Sequence, residues 1–93
     1  MDFLRADVAF VGADAIDFEG NIYTSDIRVV NFDQMMAANS KKVIICADSS
    51  KFGKTAMCKV LSSGEYDFIL TDTELAESYR KKLKVNKVKF STK

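Results

Sequence analysis

Asp48-Ser49-Ser50-Lys51-Phe52-Gly53 gathers, in one short stretch, the residue types that can hold an oxyanion or a sugar. Lysine supplies a point charge, while serine hydroxyls and backbone N–H groups supply directional donors. The same residues are also ordinary turn formers, and a plain polar turn is the simpler account of the segment alone. Asp14 and Asp17 lie in a second polar stretch and could accept hydrogen bonds from sugar hydroxyls; by themselves they could equally just shape a loop. The chain has no histidine and two cysteines, Cys46 and Cys58. Their spacing fits neither a zinc nor a redox pattern, so no metal site and no cofactor is expected. Cys46 sits inside Val43-Ile44-Ile45-Cys46-Ala47 and reads as a small core residue, and two free thiols suit a reducing cytoplasm.

These polar stretches need elements to hold them. Asp7-Val8-Ala9-Phe10-Val11-Gly12 is an apolar run closed by glycine and reads as a buried strand. Residues 13–24, with Gly20-Asn21 and several acids, read as an irregular loop. Ser25 or Asp26 offers an N-cap for a helix near 26–39, with Val29, Phe32 and Met36 spaced along one face. A second strand is predicted over 42–47 and a third over 67–70. Thr71-Asp72-Thr73-Glu74 has the capping-box pattern and predicts a helix over 72–83. The alternating residues 87–91 suit a half-exposed edge strand, and 55–65 could be a short strand pair or an irregular return. Strands apolar along their whole length are usually covered on both faces, so the expected fold is α/β, with three layers and a mainly parallel sheet. In such sheets ligands bind beyond the carboxyl ends of the strands, where all three main strands run into polar loops.

Composition narrows the function classes. With 93 residues, 47% hydrophobic and 29% charged, the chain suits one globular domain (1–93) rather than a disordered tail. Fourteen basic against 13 acidic residues leave a net charge of +1, too little for a nucleic-acid module. The basic C-terminal run from Arg80 to Lys93 reads as a solvated helix face and strand end. The first residues lack the apolar core of a signal peptide, and no stretch reaches the roughly 20 apolar residues of a membrane helix. A cytoplasmic protein without membrane contact is the expectation.

Three segments carry a family resemblance. Residues 6–17, from Ala6-Asp7-Val8-Ala9-Phe10-Val11-Gly12 to Asp17, then Ala47-Asp48-Ser49-Ser50-Lys51-Phe52-Gly53, and finally Ile69-Leu70-Thr71-Asp72 resemble, in order and spacing, the sensor domain of DeoR-family transcriptional repressors. The resemblance implies a sensor built like ribose-5-phosphate isomerases and CoA-transferases, a partial Rossmann-like fold. It implies a phosphorylated sugar as effector, control of carbohydrate metabolism, and DNA contact only through a helix-turn-helix domain not found in this chain. The family's Gly-Thr-rich phosphate loop is not found either, so the chain is expected to be the C-terminal half of the sensor. Ala15 departs from the family's glycine, and Arg28-Val29 from its frequent pair of glutamates. In the related isomerases a glutamate near there is the base; Asp26 lies about 200° away around a helix and is no simple substitute, so no enzyme is expected.

On this reading Asp14 and Asp17 face sugar hydroxyls, and Asp48, Ser50 and Lys51 form a polar floor with Lys51 nearest the phosphate. A remnant that only folds or self-associates is the alternative, ahead of an isomerase-like enzyme. A homo-oligomer is expected, formed through the helix carrying Phe32, Met35 and Met36, because a half-sensor leaves apolar surface bare.

Overall fold

The computed structural model describes residues 6–92. In chain order the elements are β1 (Ala6–Gly12), β2 (Ala15–Ile16), β3 (Ile22–Thr24), α1 (Val30–Ala38), β4 (Ser40–Cys46), β5 (Cys58–Leu61), β6 (Phe68–Thr71), α2 (Glu77–Val85) and β7 (Phe90–Thr92). Short 3-10 turns occupy Ile27–Val29, Ser49–Lys51 and Ser63–Glu65. No helix among the described residues is long and apolar enough to cross a membrane.

The apolar runs become a parallel sheet in the order β1-β4-β6-β7. That order is also chain order. Because β-to-β crossovers are right-handed, every connection returns over the same face of such a sheet. Burial agrees. Ala9 pairs with Val43, Val11 with Ile45, and Ile45 with Ile69, and all five side chains are buried. On the opposite face Val8 and Phe10 are 42% and 67% exposed, while Ile44, Phe68 and Leu70 are half-buried. The three-layer expectation is therefore corrected: among the described residues one face of the sheet is covered and the other is open.

The covering layer includes a piece the sequence did not disclose. Residues 13–24, expected as an irregular loop, form the hairpin β2–β3, and β5 adds antiparallel to β3. Gly20 turns the hairpin at φ 88°, where a Cβ would stand 2.8 Å from both Ser63 Cβ and the Tyr66 hydroxyl. Tyr66 Oη donates to the Gly20 carbonyl at 2.7 Å and closes the approach. The segment 55–65 thus supplies one strand and a 3-10 turn rather than a strand pair. Ile16, Ile22, Ile45, Ile69 and Leu83 are fully buried and join the two sheets to α2. Each such side chain contributes roughly 1.5–3 kcal/mol by leaving water.

Both helices differ from expectation for local reasons. Asp26 accepts from Arg28 N–H at 2.9 Å and caps a 3-10 turn, so α1 proper begins at Val30. Its inward residues are Val30 and Ala37, not the Val29–Phe32–Met36 stripe; Phe32 is 54% exposed. The second helix starts at Glu77 rather than 72. Thr71 remains in the sheet, and Asp72 accepts from Glu74 N–H at 2.9 Å and from Ser49 N–H at 3.0 Å, so the Thr71–Glu74 capping box does not form. At the far end Lys87 takes φ 60°, and Val88 N–H bonds to Leu83 O at 2.9 Å; this shortens the last strand to Phe90–Thr92. Within the basic run, Arg80 is engaged by the carbonyls of Leu75 and Thr73, and Lys82 lies 4.8 Å from the Phe18 ring centre.

Candidate functional site

The carboxyl ends of β1 and β4 open into a cleft of about 690 Å³. β1 contributes Gly12, followed by Ala13 and Asp14; β4 contributes Cys46, followed by Ala47, Asp48 and Lys51. Thr24 and Asp26 close one side, and Val29 and Asp33 come from the start of the α1 segment.

The β4 loop is held by its own chemistry. Asp48 Oδ1 accepts from Ser50 N–H at 3.0 Å and also from the Ser50 hydroxyl, so Asp48 caps the Ser49–Lys51 turn. The Ser50 hydroxyl, then the Ser50 N–H, holds the Asp48 carboxyl below the usual carboxylate range. Phe52, 2% exposed, anchors the loop in the core and bridges to Ile16. Asp72 ties the loop to the end of β6 through Ser49. The Lys51 N–H closes the turn onto the Asp48 carbonyl at 3.1 Å, its ammonium makes no hydrogen bond or ion pair among the described residues, and its charge acts on both Asp14 and Asp48.

Asp14 is fixed from the other side. Its Oδ2 accepts from Ser25 N–H at 2.8 Å and from Thr24 Oγ1 at 3.0 Å, and those two bonds, in that order, lower its pKa. Its second carboxylate oxygen is free of hydrogen bonds among the described residues. The cleft therefore combines carboxylates from Asp14, Asp26, Asp33 and Asp48 with a single ammonium, from Lys51. Asp26 is occupied by Arg28, which it binds through Nε and Nη2 at 2.9 Å each. Such a site can accept hydrogen bonds from several hydroxyls and offer one fixed positive charge.

Of the five residues singled out from sequence, Asp14, Asp48 and Lys51 come together in this cleft. Ser50 is exposed and does not line the cleft; its hydroxyl donates to Asp48. Asp17 is apart. Its carboxylate accepts from the N–H groups of Glu19 and Asn21, from Asn21 Nδ2 and from Tyr23 Oη, at 2.9–3.0 Å, and so builds the hairpin turn. Thr24, Asp26 and Asp33 were not foreseen as site residues. The signal for the α1 wall was present in the spacing of Asp26, Val29 and Asp33, which lie three and four residues apart on one helical face. Among the described residues no cluster of histidine, cysteine or carboxylate side chains could hold a metal ion.

The sequence matches the family described as the DeoR C terminal sensor domain over residues 1–73. It is 30% identical over 66 residues to the putative aga operon transcriptional repressor of Escherichia coli O157:H7, covering 71% of this chain and 24% of that protein. The glycerol-3-phosphate regulon repressor of Escherichia coli K12 is 32% identical over 75 residues, 77% of this chain and 30% of that protein. An uncharacterized HTH-type transcriptional regulator, FruR of Bacillus subtilis, is 30% identical over 91 residues, 96% of this chain and 36% of that protein. The chain thus spans 24–36% of the length of these curated relatives. All three are named as transcriptional regulators or repressors, not as enzymes. Together with the parallel α/β sheet and its strand-end cleft, the match places this chain in the DeoR C-terminal sensor domain family of transcriptional repressors.

Proposed function

We propose that this chain is the effector-binding and oligomerisation portion of a repressor that responds to a phosphorylated sugar, and that it forms the C-terminal half of a sensor with the ribose-5-phosphate isomerase-like fold. The observation that carries the reading is the meeting of Asp14, Asp48 and Lys51 at the carboxyl ends of two adjacent parallel strands. Ligands of open α/β sheets bind at that edge. Lys51 is the cation for a phosphate, Asp14 and Asp48 accept sugar hydroxyls, Ser50 holds Asp48 in place, and Asp17 sets the hairpin that presents Asp14. DNA contact belongs to a helix-turn-helix domain outside these residues. One relative's name refers to glycerol 3-phosphate, a phosphorylated polyol of the class proposed.

Thermal unfolding with glycerol 3-phosphate, fructose 6-phosphate and glucose 6-phosphate tests the reading. A ligand at 100 times its dissociation constant stabilises the folded state by about 2.7 kcal/mol. No shift with any sugar phosphate would reject effector binding. A second reading, self-association without a ligand, is favoured by the open sheet face carrying Val8, Phe10, Ile44, Phe68 and Leu70. Bare apolar surface of this kind drives association.

A further inference from the structure

The four cleft carboxylates are not equivalent. Asp14 is engaged by Thr24 and Ser25, Asp26 by Arg28, and Asp48 by Ser50. Asp33 alone has no hydrogen-bond or ion-pair partner among the described residues, although it is half-buried and lines the cleft from the first turn of α1. Burial is the sole influence on its carboxyl, which it pushes upward, whereas the charge of Lys51 reaches Asp14 and Asp48. A partly desolvated carboxylate with every acceptor position open is costly unless something donates to it. The cleft has a phosphate-compatible end at Lys51 and, on the α1 wall, an acceptor that the protein itself leaves unused.

We infer that Asp33 is the specificity-determining residue of the cleft, accepting a hydroxyl or ammonium group of the effector while Lys51 holds its anionic end. The inference rests on the effector-binding reading above and adds which part of that effector the α1 wall reads: a donor group on its carbon chain, not its oxyanion. It also explains how acids can outnumber cations in a site for an anionic ligand. The carbon chain, not the phosphate, faces the carboxylates.

Calorimetric titration of the wild type, Asp33→Asn and Lys51→Ala with glucose 6-phosphate, glucosamine 6-phosphate and inorganic phosphate tests this. Asp33→Asn is expected to weaken the two sugar phosphates about 10- to 150-fold, the range for a lost charged hydrogen bond, and to leave inorganic phosphate unchanged or tighter. Lys51→Ala is expected to weaken all three. Pure electrostatics predicts the opposite for Asp33→Asn, since removing a negative charge near an anion tightens every anion. Equal or tighter binding of the sugar phosphates by Asp33→Asn, beside a binding wild type, would overturn the role of Asp33 and leave the effector reading standing. A wild type that binds no sugar phosphate overturns both. Asp33 has no intramolecular partner to lose and its charge is partly desolvated, so circular dichroism of Asp33→Asn should match the wild type and its melting temperature should not fall, which separates a loss of affinity from a loss of fold.

Discussion

Gly53 donates its N–H to the Ile16 carbonyl at 2.8 Å and so fastens the Asp48–Lys51 loop to the β2–β3 hairpin. Its φ of 74° lies in the left-handed region, and an added Cβ would stand 2.9 Å from Phe18 Cζ. Gly53→Ala therefore combines backbone strain with displacement of the ring that packs edge-on against Tyr79. A loss of about 1–3 kcal/mol in urea denaturation is expected. An unchanged midpoint would show that the loop adjusts freely.

Asp17 supports the hairpin through four hydrogen bonds. Burial raises its pKa, but the bonds from Asn21, Tyr23 and Glu19 together outweigh burial and leave it lowered. A carboxyl with a lowered folded pKa stabilises the protein above its unfolded value, near 3.9, and loses that contribution as pH falls through the folded value. Asp17→Asn should cost about 1–3 kcal/mol at neutral pH and flatten the fall in stability below pH ~4. Parallel acid-denaturation curves for the two proteins would contradict this.

Thr71 carries the one buried side-chain oxygen without a hydrogen-bond partner among the described residues, and its residue is 5% exposed. Valine has the same shape, suits a strand and leaves no polar group unpaired. Thr71→Val is expected to raise stability by about 1 kcal/mol, seen as a higher melting temperature. A decrease would mean that the hydroxyl is satisfied in solution.

For Lys51 the expected outcome concerns binding rather than folding. Lys51→Ala should weaken a sugar phosphate about 10- to 150-fold, the equivalent of a charged hydrogen bond of roughly 1.5–3 kcal/mol. Stability should move within about 0.5 kcal/mol. Lys54 and Lys59 do not line the cleft, and their alanine variants serve as controls in the same titration. Equal losses at all three positions would indicate a diffuse basic surface.

Self-association can be assigned to a surface by charge insertion. Phe10 is 67% exposed on the open sheet face and Phe32 is 54% exposed on α1, while Met35 and Met36 are half-buried. If the sheet face is the interface, Phe10→Asp should convert oligomer to monomer in sedimentation velocity and Phe32→Asp should not. The reverse pattern would restore the helix as the contact.

The strands and the polar edge of the sheet were legible in the sequence because their signals are local. Apolar runs ending in Gly12-Ala13-Asp14, Asp48-Ser49-Ser50-Lys51 and Thr71-Asp72 announce parallel strands with polar carboxyl ends, and the ordered segments around them carry the family. The hairpin was not legible, since strands of two and three residues are too short to show a period, and its register depends on β5, more than thirty positions on from Ile22. The start of α2 was misread because Asp72 meets Ser49, which is distant in sequence, and the backbone there turns before it coils. Periodicity located α1 but not its rotation: Val30 and Ala37 face the core because the crossover from β1 to β4 lays the helix beside β5. That rotation is what brings Asp33 into the cleft and separates it from Asp17, whose residue type is identical. Residue type and spacing fixed which groups were available, and short-range bonds already occupy Asp17, Asp26 and Asp48; only the crossover geometry decided which carboxylates meet at the cleft.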